Sequence, residues 1–412
     1  MVADSNTPLL NTTCIHGHAF KKAYGPVTLP LSKSTTFAFS SIKDIERFYS
    51  GELPFEYGRY RSPTVNACEE RYAAIEGAES AALFGSGMAA FTTTLLTFLR
   101  AGDHVVIGDD SYRRLRTFCT ETLARYGVTA SVVPMGSVEG IAASLRQETK
   151  LIILEAPTNP YLRITDLAAV ATLAKERGIL SLIDATLATP YNLRPLEHGI
   201  DLVLHSATKY LGGHNDLLAG VVAGSKILID KILEERHQFG TIIDPDAAWR
   251  LERSLKTLPL RMQQHNESAL AVANLLQASN QVAAIWYPHH ASHPDYDTAK
   301  RYLRGGGGVV SFTIKGGTKE CCALIDSLRI AKLADSLGGT ETIVKPVALL
   351  SFYRYTPEER ALWGIPDNLI RLAVGLEDTE VILDDLDQAL NKLSRSRLTL
   401  IPSSLKPLSL SA

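Results

Sequence analysis

The sequence predicts an α/β protein: a large domain built on a mostly parallel sheet, followed by a smaller α+β domain. Three observations carry this. Between residues 64 and 258, apolar β-type runs alternate with helical stretches. Runs that are apolar throughout suit strands buried on both faces, as in parallel sheets covered by helices. After Leu258 the order changes to one long helical pattern, then a strand and two further helices, which reads as a second unit.

The strand candidates, in order, are AALFGS, HVVIGD, ASVVPM, KLIILEA, LSLIDA, DLVLHSATK and AGVVAG. A first helix is expected after Gly87, and another, DLAAVATLAKERG, stops at Gly178, a residue suited to a helix C-terminus. The second unit takes RMQQHNESALAVANLLQAS as its long helix, GGVVSFTI as a strand, and KECCALIDSL and TEVILDDLDQALNKL as helices. Residues 1–58 are rich in Pro, Thr, Ser and Gly with little helical periodicity, so an extended arm is expected there. The expected division is an arm over 1–58, a large domain over 59–258, a C-terminal domain over 259–395 and a poorly ordered tail over 396–412.

Composition narrows the function. With 45% apolar and 21% charged residues among 412, the chain is globular and has ample core. A net charge of -2, its charges dispersed, offers no basic face for nucleic acid, so the expected partner is a small molecule. The start, MVADSNTPLLNTTCIHG, shows no signal or transit pattern, and no run of about 18 apolar residues follows, so neither secretion nor a membrane span is expected. The five cysteines, Cys14, Cys68, Cys119, Cys321 and Cys322, lack paired CxxC spacing; they read as reduced core thiols, and no metal site is expected. A cytoplasmic location fits these features.

The chemistry is concentrated in DLVLHSATKYLGGHND, where a strand ends in Ser206 and Thr208 just before Lys209. A lysine so placed can meet a phosphorylated aldehyde cofactor whose phosphate accepts hydrogen bonds from the two hydroxyls. Taken alone, Lys209 reads more readily as a solvated surface lysine. Asp184 ends the strand in LSLIDAT, where open α/β sheets place their binding sites, and an aspartate there can keep a pyridinium nitrogen protonated. It reads equally as a turn or cap residue. In FGSGMAAFTT a tight turn opens a helix, and the N–H groups of Gly87 and Met88 suit a phosphate.

These segments agree on one cofactor. Together SGMAA, EAPTNPYL, IDATLATP, HSATKYLGGHND, SLGGTET and RLAVGLED resemble the signature segments of the Cys/Met-metabolism pyridoxal-phosphate family, in order over about residues 12–392. The resemblance implies an aspartate-aminotransferase-like (fold type I) architecture and pyridoxal 5'-phosphate as cofactor. It assigns Lys209 as the Schiff-base lysine, Asp184 as the ring-nitrogen partner, and Ser206, Thr208, Gly87 and Met88 to the phosphate. Tyr112 matches the tyrosine stacked on the ring that assists proton transfer, and Asn159 the residue near the ring oxygen, with Glu155 beside it. Tyr57 and Arg59 match the pair that reaches a neighbouring subunit's phosphate, which implies at least a dimer and typically a homotetramer. Arg371 matches the arginine that grips the substrate carboxylate, a task suited to a planar guanidinium, and Ser336 opens the turn that helps position it.

Two features of the resemblance point to γ-chemistry: Glu341 in SLGGTET, and a likeness of DDSYRRLRTFC and GIPDNLIRLAVGLED to plant and cyanobacterial cystathionine γ-synthases. The implied reaction is γ-substitution on an O-phospho-, O-succinyl- or O-acetyl-homoserine by a thiol such as cysteine. Within the family, γ-elimination, sulfhydrylation and a carbon nucleophile are the alternatives. Arg113, Arg114 and Lys345 can help an anionic leaving group or simply face solvent. The chain departs from the family pattern at Ala185, Ser62, Arg113, Arg114 and SFYRYTPEER, which are expected around the substrate approach and its surroundings.

Overall fold

The computed structural model describes residues 10–17, 25–134 and 136–398. Among them two sheets form. The larger contains β1 (Ser80–Phe84), β2 (His104–Gly108), β3 (Thr129–Val133), β4 (Thr149–Glu155), β5 (Leu180–Asp184), β6 (Leu202–His205) and β7 (Gly220–Gly224). Their order is β1-β7-β6-β5-β4-β2-β3, so every anticipated strand of this region is a strand. The pairings from β3 through β2, β4 and β5 to β6 are parallel, whereas β7 runs antiparallel to β6 and to β1.

Both faces of this sheet are apolar, as the continuous runs require. Val106, Ile152, Ile183, Val203 and Val221 belong to one buried cluster, while Val105, Leu151, Leu182, Leu204 and Val222 belong to another. Helix ends follow local chemistry. Asp166 caps the helix Leu167–Arg177 by accepting from Ala169 N–H, a bond worth about 1 kcal/mol, and Gly178 closes it at φ 64°. At β7 the direction reverses: the chain returns from β6 through a turn-rich loop over 206–219 with no crossover helix, and β7 pairs antiparallel to β6. That loop carries Lys209.

The second sheet contains β8 (Val282–Trp286), β9 (Val309–Ile314), β10 (Lys332–Leu333), β11 (Ile343–Pro346) and β12 (Leu369–Ala373), in the order β10-β11-β12-β9-β8. Its pairings are antiparallel apart from β10 with β11. One face packs Val310, Phe312, Val344, Ile370 and Leu372 against the helices Leu258–Ala278, Thr318–Ser327 and Thr379–Leu398. Alternation sends Ile343 and Ala373 into the cluster shared with the large sheet, and Lys345 and Arg371 to that same face.

Three expectations change. The arm contains helices, Leu10–His16 and Ile42–Tyr49; the second is a short amphipathic turn pattern, IKDIERFY, hidden among Ser and Pro neighbours. The helix Pro63–Glu76 was not anticipated, although Pro63 at its start and Gly77 at φ 73° after its end are ordinary boundary signals. The last helix runs through residues 396–398, expected to be tail; the rest of that tail, and 1–9 and 18–24 of the arm, lie outside the described residues. Among the described residues no helix is long and apolar enough to cross a membrane.

All five cysteines are free, and Cys322 alone is not fully buried. Burial pushes the Cys14, Cys119 and Cys321 thiols up to about 12 and Cys68 well above its ordinary value. Since the reactive species is the thiolate, which forms only as pH climbs towards these values, native protein at pH 8 should titrate at most one thiol with an aromatic disulfide reagent. Full reaction is expected only after denaturation. Rapid reaction of two or more thiols in the native state would contradict this burial.

Candidate active site

Strands β4, β5 and β6 end side by side, Glu155 pairing in register with Asp184 and Asp184 with Leu204. Their carboxyl ends, where parallel sheets hold ligands, thus present two buried carboxyl groups and, just beyond His205, the segment Ser206–Lys209. Asp184 receives the Thr186 N–H at 2.9 Å and the Thr186 hydroxyl at 2.5 Å, both on Oδ1. Thr186 Oγ1 in turn accepts from Ser206 N–H at 2.8 Å, tying the β5 end to the lysine-bearing loop. Burial raises the Asp184 carboxyl against the effect of the Thr186 bonds. Glu155 is pushed well above the carboxylate range, again by burial and then by Asp184, although it accepts Tyr112 N–H at 2.6 Å.

Lys209 reaches across to the second sheet. Its Nζ donates to Ser336 Oγ at 2.7 Å, and burial, then the Arg371 charge, lower its pKa. Arg371 donates from Nη2 to Ser336 O at 2.5 Å and from Nη1 to Asn159 Oδ1 at 3.3 Å; among the described residues its buried Nε has no hydrogen-bond partner. Ser336 therefore ties the lysine of one sheet to the arginine of the other. It does so at φ 82°, a strained backbone for a non-glycine residue, at a cost of roughly 1–3 kcal/mol that its neighbours must offset. The turn behind it needs glycine: a Cβ on Gly338 would lie 2.7 Å from Tyr210 N.

At the other end of the loop, Ser86 caps the helix Gly87–Phe98 by accepting from Ala89 N–H. A Cβ on Gly87 would lie 2.9 Å from Ser206 Cβ, so the helix start is pressed against the lysine loop. The first-turn N–H groups of Gly87 and Met88 need an acceptor from outside the helix, and the Ser206 hydroxyl adjoins them. Thr208 differs from expectation: its hydroxyl donates to Ala219 O at 3.2 Å and accepts Ala219 N–H at 3.0 Å, so in this state it braces the loop. Tyr112, whose N–H is held by Glu155, is 43% exposed. A cleft of about 600 Å³ opens between Thr208, Asn215, Asp335, Ser336 and Glu341. Glu341 accepts from Asn215 Nδ2 at 3.0 Å and lies 3.6 Å from Lys332 Nζ.

Tyr57 and Arg59 make their contacts elsewhere in the chain. Tyr57 bridges to Thr36, and Arg59 donates to His237 O at 2.5 Å with its guanidinium over the Tyr60 ring. Arg113 lies over Phe352 and Tyr355, so SFYRYTPEER and Arg113 form one packing unit while Arg114 stays exposed. Ala185 and Ser62 are buried, at 0% and 2% exposure, and so belong to packed positions and not to the substrate approach. Two contributors escaped sequence reasoning. Thr186 had a legible signal, a hydroxyl two residues after an aspartate. Asp335, whose Oδ1 accepts from Lys345 Nζ at 2.6 Å and lies 3.9 Å from Arg371 Nη2, had none.

The arrangement fits pyridoxal phosphate on its own terms. A buried carboxyl with its described bonds on one oxygen suits a cationic ring nitrogen, and the helix start with Ser206 suits a phosphate. The comparisons agree. The profile of the family described as "Cys/Met metabolism PLP-dependent enzyme" matches residues 11–391. Cystathionine gamma-synthase 1, chloroplastic, of Arabidopsis thaliana is 41% identical over 369 residues, 89% of this chain and 66% of its own length. The chain thus spans just under two thirds of that relative. L-methionine gamma-lyase of Pseudomonas putida is 38% identical over 378 residues, 91% of this chain and 95% of its own. The crystal structure of cystathionine gamma-lyase from Lactobacillus plantarum complexed with L-serine superposes with a TM-score of 0.87 at 34% identity, covering 94% of this chain and all of that one. With a lysine, a buried aspartate and a phosphate-ready helix start on one sheet edge, and this likeness over almost its whole length, the chain belongs to the Cys/Met-metabolism family of pyridoxal-phosphate-dependent enzymes.

Proposed function

We propose that the protein catalyses γ-substitution on an O-activated homoserine, with a thiol such as cysteine as nucleophile and cystathionine as product. The observation that carries this reading is the Ser336 bridge, which brings Lys209 within reach of the place where Arg371 would hold an α-carboxylate. Pyridoxal phosphate, when bound, supplies an aldehyde carbon that captures amines and a ring that stores electrons released at Cα.

The chain's own residues do the rest. Lys209 would hold the cofactor through its amine, and the same Nζ would move protons at Cα and Cβ of the substrate, burial favouring its free base. Asp184 would pair with the ring nitrogen and keep it charged. Ser206, Gly87 and Met88 would hold the phosphate, and Thr208 would join them if its hydroxyl left Ala219. Tyr112 would cover the ring, and Asn159, which accepts from Arg371, would hold its oxygen. Arg371 and Ser336 orient the substrate, an effect worth roughly several kcal/mol of barrier, and Glu341 lines the cleft where the γ-substituent lies. Tyr57 and Arg59 serve the phosphate of a neighbouring subunit, so the working form is a homotetramer of two active dimers. Residues 59–258 bind the cofactor and 259–395 the substrate, and the enzyme acts in the cytoplasm.

Likeness to methionine γ-lyases at nearly the same identity favours one second reading, γ-elimination. Incubation with O-phospho-, O-succinyl- and O-acetyl-homoserine, each with and without cysteine, separates the two. Cystathionine should accumulate when cysteine is present. Release of 2-oxobutanoate as the main product in the presence of cysteine would replace substitution by elimination.

A further inference from the structure

On the inner face of the second sheet, Ser311, Arg371 and Lys345 stand directly opposite one another on β9, β12 and β11. Residues in register on neighbouring strands have Cβ atoms only about 5 Å apart, so these side chains form one polar row. All are buried, at 0%, 3% and 5% exposure. Such a row needs partners, and they are incomplete: among the described residues Ser311 Oγ and Arg371 Nε have no hydrogen-bond partner. Among the described residues Lys345 is held by Asp335 alone, at 2.6 Å, and the same carboxylate oxygen lies 3.9 Å from Arg371. Asp335 is itself 73% exposed at the cleft. Arg371 and Lys345 thus share one described carboxylate, and Lys209, which is to carry the cofactor, adds nothing to that count. An α-carboxylate would answer the arginine, while the Lys345 ammonium, with three N–H donors and one described acceptor, has donors to offer a further anion.

We propose that Lys345 is a specificity-determining residue that binds a second, distal anion of the substrate, so that the site selects amino acids bearing a distal phosphate or carboxylate over those with a neutral side chain. This rests on the cleft being the amino-acid site, as proposed above. Asp335 serves as the resident counter-ion that such an anion displaces or shares. Burial, then the Arg371 charge, pulls the Lys345 ammonium down to about 8 despite its Asp335 partner, while, against burial, the Lys345 hydrogen bond and charge hold Asp335 down to about 2. The plainer role, in which Lys345 only pins Asp335 and the turn before Ser336, predicts no preference for a distal anion.

Titration of the cofactor-loaded protein, followed by its visible absorbance, separates these roles without turnover. The probes are L-norvaline, with a neutral side chain, 2-amino-5-phosphonopentanoate and L-2-aminoadipate. Lys345→Met should weaken the phosphonate, the carboxylate or both by about tenfold or more, the loss of one charge-assisted hydrogen bond, and norvaline less than about twofold. Lys345→Arg should restore most of the anion binding. Which anionic probe loses more distinguishes a distal phosphate from a distal carboxylate. Asp335→Asn, which keeps the shape of the turn, provides the second variant: it should tighten both anionic probes by more than norvaline, which gains only through its α-carboxylate at Arg371. Equal weakening of all three probes in Lys345→Met, or unchanged anion binding, overturns the proposal, as does weaker anion binding in Asp335→Asn. If norvaline and both anions leave the spectrum of the unsubstituted protein unchanged, the cleft is not the amino-acid site and both readings fall; a response to the probes without conversion of any homoserine ester defeats the reaction alone.

Discussion

Lys209→Ala should abolish the visible absorbance of the cofactor-loaded protein and lower turnover by on the order of 10⁴-fold or more, as removal of a covalent catalyst does. The expectation comes from position. Lys209 leaves the end of β6 on a loop pinned from both sides, with its Nζ on Ser336 and its own backbone N–H on Ser206 O. Lys345, buried near the same cluster, is held by Asp335 and lies on the far sheet, so it is no substitute. Folding should survive, because truncation removes one hydrogen bond and little apolar area; a loss of about 1 kcal/mol or less in denaturant unfolding is expected. Borohydride reduction of the loaded protein followed by peptide mapping should label Lys209 and no other lysine. An unlabelled Lys209, or a yellow and active alanine variant, would remove the basis of the proposed function.

Asp184→Asn should keep the fold and much of the colour yet lose about 10²–10³ in turnover, the scale seen when one preorganised electrostatic partner is removed. Thr186 can still donate to the retained side-chain oxygen, so the turn at the end of β5 need not move. What disappears is the negative charge. Burial alone raises the Asp184 carboxyl, and a cationic ring nitrogen brought beside it would reverse that shift; Asn offers no such charge and the ring would lose its proton. Rapid-mixing absorbance and kcat measured with a homoserine ester test this. A variant within about twofold of the unsubstituted protein would exclude Asp184 as the ring-nitrogen partner.

Much of this was readable from residue order because it depends on local rules. Apolar runs of strand length gave the seven strands of the large sheet, since parallel strands bury both faces. Gly178 marks a helix end because only a residue at ease with positive φ closes it well. Lys209, Asp184 and Gly87 could be proposed because each lies at the edge of an element whose type is legible. The helix Ile42–Tyr49 was missed because eight residues among Ser and Pro carry too little periodic signal.

The sequence by itself determined the element types of the large sheet, its mostly parallel character, the cofactor class and the residues brought to the strand ends. Only the tertiary structure decided that Ser336 joins Lys209 to Arg371, that Arg113 packs on the rings of SFYRYTPEER, and that Lys345 and Arg371 share a face with Asp335 between them. The physical reason is range. Propensity, capping and alternation act over a few residues, whereas the Lys209–Ser336 bond spans 127 positions and exists only once two sheets have closed on one another.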